Sequence, residues 1–167
     1  MAVREILLLG NEKLYQVCSP VSQNEREEAE HIVGDLRDTM AAFRQKYGFG
    51  RAIAAPQIGE FRRILYLNAD GRETAFLNPV LEFPDGESFT LWDDCMSFPG
   101  LEVKVQRYKR CRITFQDLAW NQHVWEPEGD FSELMQHEYD HLDGILAVQR
   151  AIDEKSLRIN RLHAGCY

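Results

Sequence analysis

The stretch QHEYDHLDG, residues 136–144, carries two histidines four positions apart with a glutamate beside the first. On a helix, residues four apart project from one face, so His137 and His141 can reach one metal ion while Glu138 flanks it. Two imidazoles and a carboxylate are the parts of a metal-activated-water site, in which the carboxylate moves the proton. The helix that carries them begins near Asp130 or Ser132 and stops by Gly144.

Outward from this helix the pattern is mixed. Ile32, Leu36, Met40, Phe43 and Tyr47 recur at helical spacing, which predicts a helix from about Asn24 to Tyr47, ended by Gly48 and Gly50. Ile6 to Leu9 reads as a short buried strand. The middle of the chain reads as strands over Arg63–Asn68, Thr74–Phe83, Glu102–Val105, Arg110–Gln116 and His123–Trp125, with turns such as Ala69-Asp70-Gly71 and Pro84-Asp85-Gly86. A third, amphipathic helix is expected over Asp153–Leu162. The expected fold is α+β: antiparallel sheets packed around a central helix carrying the HExxH motif, with an N-terminal helix and a short C-terminal helix, in a single domain spanning residues 1–167.

Bulk properties exclude several classes of protein. The 167 residues can bury a core without staples, and 44% hydrophobic with 28% charged residues is ordinary for a globular protein. A net charge of -8 argues against a nucleic-acid-binding surface, which needs a basic footprint. The one local candidate, RYKRCR from Arg107 to Arg112, reads as an exposed strand edge or loop. The opening MAVREILLLGNEKL has an apolar run too short for a membrane span, so no membrane association is expected and the cytoplasm is the expected location. The four cysteines show no CxxC spacing, so reduced thiols are expected, one of them free to ligate metal.

Two histidines do not complete a metal site. Cys95, in WDDCMSFP at residues 92–99, lies between predicted strands; alone it would read as a small buried hydrophobe, but a thiolate with two imidazoles makes a three-ligand site that leaves a fourth position open. Protease readings of HExxH fare worse. The metzincin pattern holds through Gly144 but has Ala147 at its last ligand position, and the only later glutamate is Glu154, thirteen residues past His141, with little chain left for a second helix.

Three motifs together, GRAIAAPQIG at 50–59, DDCMS at 93–97 and QHEYDHLDG at 136–144, resemble those of the peptide deformylases in order and spacing. The likeness covers nearly the whole chain, including ILLLGNEKL and CMSFPGLEVKVQR. It implies that Cys95, His137 and His141 bind one divalent metal, Fe(II) by preference, with Zn(II), Ni(II) or Co(II) able to replace it. It implies that Glu138 is the general base and acid, and that Gln57 with the backbone N–H of Met96 polarises the formyl oxygen. Gly50, Arg51, Ala52, Ile53, Asp94, Arg107, Glu133 and Leu134 are the expected substrate-binding residues. The implied partner is an N-formylated nascent peptide, met at the ribosome, and the implied state is a monomer. Asp140 is expected to orient a neighbour rather than to ligate.

Several positions depart from the family pattern. Ala52 stands where GxGLAAPQ has its second glycine, with Arg51 at a commonly apolar position. In place of EGCLS the chain has Asp93, Asp94 and Met96 around Cys95. Met96 is nearly isosteric with Leu, whereas Asp94 replaces a glycine expected to serve a special backbone conformation or close approach. Glu133, four residues before His137, projects on the ligand side, where the family commonly lines a pocket for the methionine side chain. Arg51 and Glu133 are therefore expected either to meet across that pocket or to point to solvent at its mouth. Three functions compete on these residues: removal of formyl from formyl-methionine of nascent chains, an amidohydrolase acting on another N-formyl compound, and a non-catalytic module of the same fold.

Overall fold

The computed structural model describes residues 2–160. The helical periodicity near the N-terminus forms α1 (Arg26–Tyr47), which buries Ile32, Val33, Leu36, Met40 and Phe43 on one side. Gly48 ends it in the left-handed region (φ +80°), its N–H reaching Arg44 O at 2.9 Å.

Among the described residues eight strands follow: β1 (Ala52–Ala54), β2 (Ile64–Ala69), β3 (Arg72–Glu82), β4 (Ser88–Asp94), β5 (Leu101–Tyr108), β6 (Arg112–Gln116), β7 (Gln122–Trp125) and β8 (Leu157–Ile159). They pair antiparallel throughout, in one sheet ordered β1-β2-β3-β6-β7 and another ordered β4-β5-β8. Alternation is clearest on β5, where Val103, Val105 and Arg107 are buried and Lys104 and Gln106 are exposed.

α2 (Asp130–Leu142) is packed on β1 and β5, with nearly every residue from Ser132 onward buried. Met135 and Leu142 join Leu65, Phe76 and Ile113 in one apolar cluster, while α1 covers a second cluster built on Ile53, Ile64, Tyr66 and Leu77. Polar side chains also tie α2 to β5. Gln136 accepts from Tyr108 N–H (2.9 Å) and donates to Tyr108 O (2.8 Å), and Ser132 donates to the same carbonyl (3.0 Å). Past its end, Gly144 sits at φ +70° with Tyr15 O only 2.4 Å from where a Cβ would lie. Only glycine combines that backbone with that approach.

Two expectations are corrected. Ile6–Leu9 is not a buried strand: the segment is irregular, turns at Leu9, is partly to fully exposed, and is held by single bonds from Leu7 N–H to Gln57 O and Leu9 N–H to Ser97 O, both 2.8 Å. The helix over Asp153–Leu162 is replaced, as far as residue 160, by a bend and β8, whose Leu157 and Ile159 pair with Val103 and Leu101. The open edge of β5 claims that segment for pairing, and its amphipathic spacing does not override this. Residues 161 and 162 lie outside the described residues, as does Cys166; Cys18, Cys95 and Cys111 are free thiols. Ser88–Asp94 is a further strand that the sequence patterns do not pick out.

Candidate active site

Three elements converge on one point. β4 ends at Asp94, so the strand alternation turns Asp93 and Cys95 inward and leaves Asp94 exposed. One face of α2 supplies His137 and His141, whose rings lie 5.1 Å apart. The Cys95 Sγ and His141 Nε2 are 3.3 Å apart, and the candidate donor atoms of Cys95, His137 and His141 all lie within 4.8 Å of one another, fully buried. A sulfur and two imidazole nitrogens fit a single borderline-soft divalent ion, zinc or ferrous iron alike.

The orientation of His137 has a visible cause. Its Nδ1 meets the Asp93 carboxylate at 2.8–2.9 Å, which turns Nε2 toward Cys95 and His141. Burial opposes charge on His137, but Asp93 and Cys95 together outweigh it and raise the imidazole pKa. Burial would likewise push Asp93 up, yet His137 and Arg107 hold it below the usual carboxylate range. Burial keeps His141 well below its ordinary value, so it stays a neutral donor.

Behind Asp93 stands a buried chain of charges. Arg107, 4% exposed, contacts Asp93 at 3.2 Å and Asp140 at 2.6 Å. Arg150 closes the chain with two bonds to Asp140 at 2.6 and 2.7 Å. Burial would lower the Arg107 pKa, but Asp140 and Asp93 raise it, so the guanidinium stays charged. The remaining basic residues of Arg107–Arg112 pair with carboxylates: Lys109 with Glu87, Arg110 with Asp85, and Arg112 with Glu126. That run is a set of ion pairs rather than a basic footprint.

Glu138 is buried beside His137, and its Oε2 has no hydrogen-bond partner among the described residues. Burial pushes its carboxyl up to about 7, the range a group needs to take and return a proton near neutrality. Gln57 follows β1 in a tight turn over Ala55–Ile58. Its Oε1 accepts from Ala54 N–H (2.8 Å), so its Nε2 faces the cluster, donating to Ser97 Oγ (3.1 Å) and lying 3.5 Å from Cys95 Sγ. Met96 is buried next to Cys95, and its backbone N–H finds no acceptor among the described residues.

A cavity of about 410 Å³ opens onto these groups. Of the expected substrate-binding residues, Gly50, Arg51, Ala52, Asp94, Glu133 and Leu134 line it. Ile53 and Arg107 do not. The Ile53 side chain is wholly buried in the core under α1, and the Arg107 side chain is spent on Asp93 and Asp140. The backbone reading of Asp94 is also corrected: it continues β4 opposite Glu102, and the only non-glycine residues described with positive φ are Asp70, Asn78 and Trp120. Arg51 and Glu133 do meet across the cavity, Nη2 to Oε2 at 3.7 Å. Burial, with Asp93 nearby, raises the Glu133 carboxyl to about 8.

Sequence reasoning misses Arg150, Ser97 and Arg44. Arg44 braces the loop after α1 by donating to Gly50 O (2.7 and 2.9 Å) and Asn68 O (2.6 Å), contacts that no local pattern announces.

An S,N,N donor set on an HExxH helix, inside an α+β fold with a buried carboxylate at hand, is that of a metal-dependent hydrolase. The polypeptide deformylase family model matches residues 3–157, and the chain belongs to that family. It is 36% identical over 131 residues to the peptide deformylase of Dictyoglomus turgidum, covering 78% of this chain and 82% of that one. It is 38% identical over 164 residues to that of Parafrankia sp., covering 95% and 83%. The crystal structure of the Thermotoga maritima peptide deformylase superposes with a TM-score of 0.83 at 27% identity, covering 92% of this chain and 100% of that one.

Proposed function

We propose that Cys95, His137 and His141 hold one divalent metal, Fe(II) in the native enzyme, and that Glu138, Gln57 and Met96 carry out the proton and charge work around it. The chain is a hydrolase that removes the N-formyl group from the N-terminal formyl-methionine of nascent polypeptides and releases formate. The metal, when bound, supplies the Lewis acidity that makes water a usable nucleophile near neutral pH.

The residues divide the remaining labour. Glu138 takes the proton of the attacking water on its unpartnered Oε2 and passes it to the amine nitrogen as the formamide C–N bond breaks. Gln57 Nε2 and the Met96 N–H donate to the formyl oxygen as it gains charge; an uncharged amide does this without competing for the metal. Asp93 keeps His137 in the ligating tautomer, and Arg107 keeps Asp93 ionised. We further infer that the chain works as a single-domain monomer in the cytoplasm on peptides emerging from the ribosome. No helix among the described residues is long and apolar enough to cross a membrane.

The observation that carries this reading is the approach of three buried donors to within 4.8 Å, with an unpartnered carboxyl oxygen on the same helix. The test is formate release from formyl-Met-Ala-Ser by anaerobically purified Fe(II) enzyme. Glu138→Gln is expected to retain the metal and lose about 10³-fold in kcat. Formate release undiminished in that variant would overturn the assignment of Glu138.

A further inference from the structure

The two donors assigned to the formyl oxygen hang from different sheets. Gln57 lies in the turn after β1, and Met96 in the loop after β4. Such a pair stabilises developing charge only when both donors stand in place before the reaction, and a displacement of about 1 Å can cost about 10²-fold in rate. One loop must therefore be fixed against the other. Side chains contribute through Gln57 Nε2, which donates to Ser97 Oγ at 3.1 Å.

The N-terminal segment supplies the backbone part of this link. Leu7 N–H donates to Gln57 O and Leu9 N–H to Ser97 O, both at 2.8 Å, so one short stretch holds both loops while belonging to neither sheet. α1 in turn anchors the stretch. Asp35 and Thr39 lie four apart on that helix, each only 2% exposed, among the buried Ile32, Leu36, Met40 and Phe43. Asp35 accepts from Ala2 N–H (2.7 Å) and from Arg4 Nη1 (2.9 Å), and Thr39 Oγ1 accepts from Arg4 N–H (2.8 Å). Arg4 also donates to Glu60 at 3.1 Å, and Glu60 N–H bonds Ala55 O across the Gln57 turn at 3.1 Å. Burial pushes the Asp35 carboxyl up, yet the Ala2 N–H and the Arg4 guanidinium hold it below its ordinary value, so the anchor is an ionised acceptor. A carboxylate and a hydroxyl on the buried side of a helix cost stability unless partnered, and both of these are spent on the same segment.

We propose that Asp35, Thr39 and Arg4 are positioning residues for the hydrolysis: they latch the segment from Ala2 to Leu9, and the latched segment sets the Gln57 amide and the Met96 N–H at the separation that the charged formyl oxygen requires. The proposal rests on the deformylase reading and on the assignment of these two donors. Asp93 and Arg107 hold the ligand His137 independently of the segment, so the latch acts on turnover and leaves the metal in place. The formyl oxygen carries its charge in the transition state, so the loss falls on kcat and kcat/KM alike, with KM unchanged.

The test is a double-mutant cycle on formate release from formyl-Met-Ala-Ser by metal-loaded enzyme. Arg4→Met and Thr39→Val, combined, remove latch bonds while keeping side-chain size, and circular dichroism checks the fold; Thr39→Val alone carries the test if the pair does not fold. The latch variant is expected to lose about 10-fold in kcat, with KM and metal content unchanged and faster amide hydrogen exchange at Leu7 and Leu9. Thr39→Ser, which keeps the hydroxyl, is expected to match the wild type. In Gln57→Leu enzyme the same latch substitutions are expected to lower kcat by less than about 3-fold further, because one of the donors they position is gone. An equal loss in both backgrounds, an unchanged kcat in the latch variant, or loss of its metal would overturn the proposal and leave the deformylase reading intact. Wild-type kcat in Gln57→Leu alone would overturn the donor assignment, and the proposal with it.

Discussion

Replacing Arg107 by methionine is the sharpest probe of how this site is held. The side chains match in length, so the substitution removes charge and donors more than volume. Two carboxylates lose a partner, at 3.2 Å for Asp93 and 2.6 Å for Asp140. Breaking a buried pair by deleting one member costs about 3–5 kcal/mol, because the charge left behind stays desolvated. The lower end applies here, since Asp140 keeps Arg150 and Asp93 keeps His137. A loss of about 3 kcal/mol corresponds to a fall of about 6–12 °C in Tm for a chain of this size. The control is Arg150→Met: Arg150 is 43% exposed and Asp140 would still hold Arg107, so at most about 1 kcal/mol is expected. Urea unfolding followed by circular dichroism measures both, and competition with a chromophoric chelator reads Co(II) affinity. Arg107→Met should weaken the metal about 10–100-fold through Asp93 and His137, with little change in Arg150→Met. Equal stability losses in the two variants, or unchanged Co(II) affinity in Arg107→Met, would refute the chain of reasoning from Arg107 to the ligand.

Gly144→Ala is expected to cost about 2 kcal/mol or more, read as a lower urea midpoint, because φ +70° is strained for alanine and Tyr15 O blocks the Cβ. Gln57→Leu should lower kcat by about 10²–10³ with metal content unchanged by elemental analysis, since one donor to the formyl oxygen is lost. Glu133 titrates near 8 when folded against 4.5 as its ordinary value, so the folded state holds the proton between them. Stability from this group is therefore full below about pH 4.5 and falls as pH rises through about 8. Glu133→Gln should leave the unfolding free energy of metal-free protein, from urea titration, nearly unchanged at pH 4.5 and raise it at pH 8.5 by more than about 1 kcal/mol. A pH-independent difference between the two proteins would show that the carboxyl is already solvated.

What the sequence made legible follows from the range of the interactions involved. α1, β2, β3, β6 and α2 each bury a side set by their own periodicity, and all five are readable locally. The approach of His137 to His141 is equally readable, since the two share a helical face; Cys95 joins them because it follows the end of β4. Elements whose stability comes from elsewhere were not. β8 exists because β5 has an open edge, and the end of β4 because Asp93 and Asp94 are paired across to Val103 and Glu102. Arg107 had a signal: it occupies the buried phase of the alternation Val103, Val105, Arg107, and a cation at such a position implies a buried counter-charge. Reading RYKRCR as one basic run concealed that phase.

The distribution of the site over the fold explains why a single motif underdetermines it. α2 brings Glu133, His137, Glu138 and His141; β4 and the residue after it bring Asp93 and Cys95; the turn after β1 brings Gln57. These come from two sheets and a helix, so no single element sets the distances among the donor atoms. Arg107 is the residue that spans the joints. From β5 it reaches Asp93 on the neighbouring strand and Asp140 on the helix, and so fixes the depth at which α2 sits against the β4–β5 hairpin. Gln136 and Ser132 fix its position along β5 through the Tyr108 backbone. The helix is thus held in two directions by polar groups whose burial costs stability unless every partner is in place. Such a contact has few alternative registers, and a ligand set built across it has correspondingly few alternative geometries. Arg51 and Glu133 take no part in this clamp: they face each other at 3.7 Å on the cavity wall.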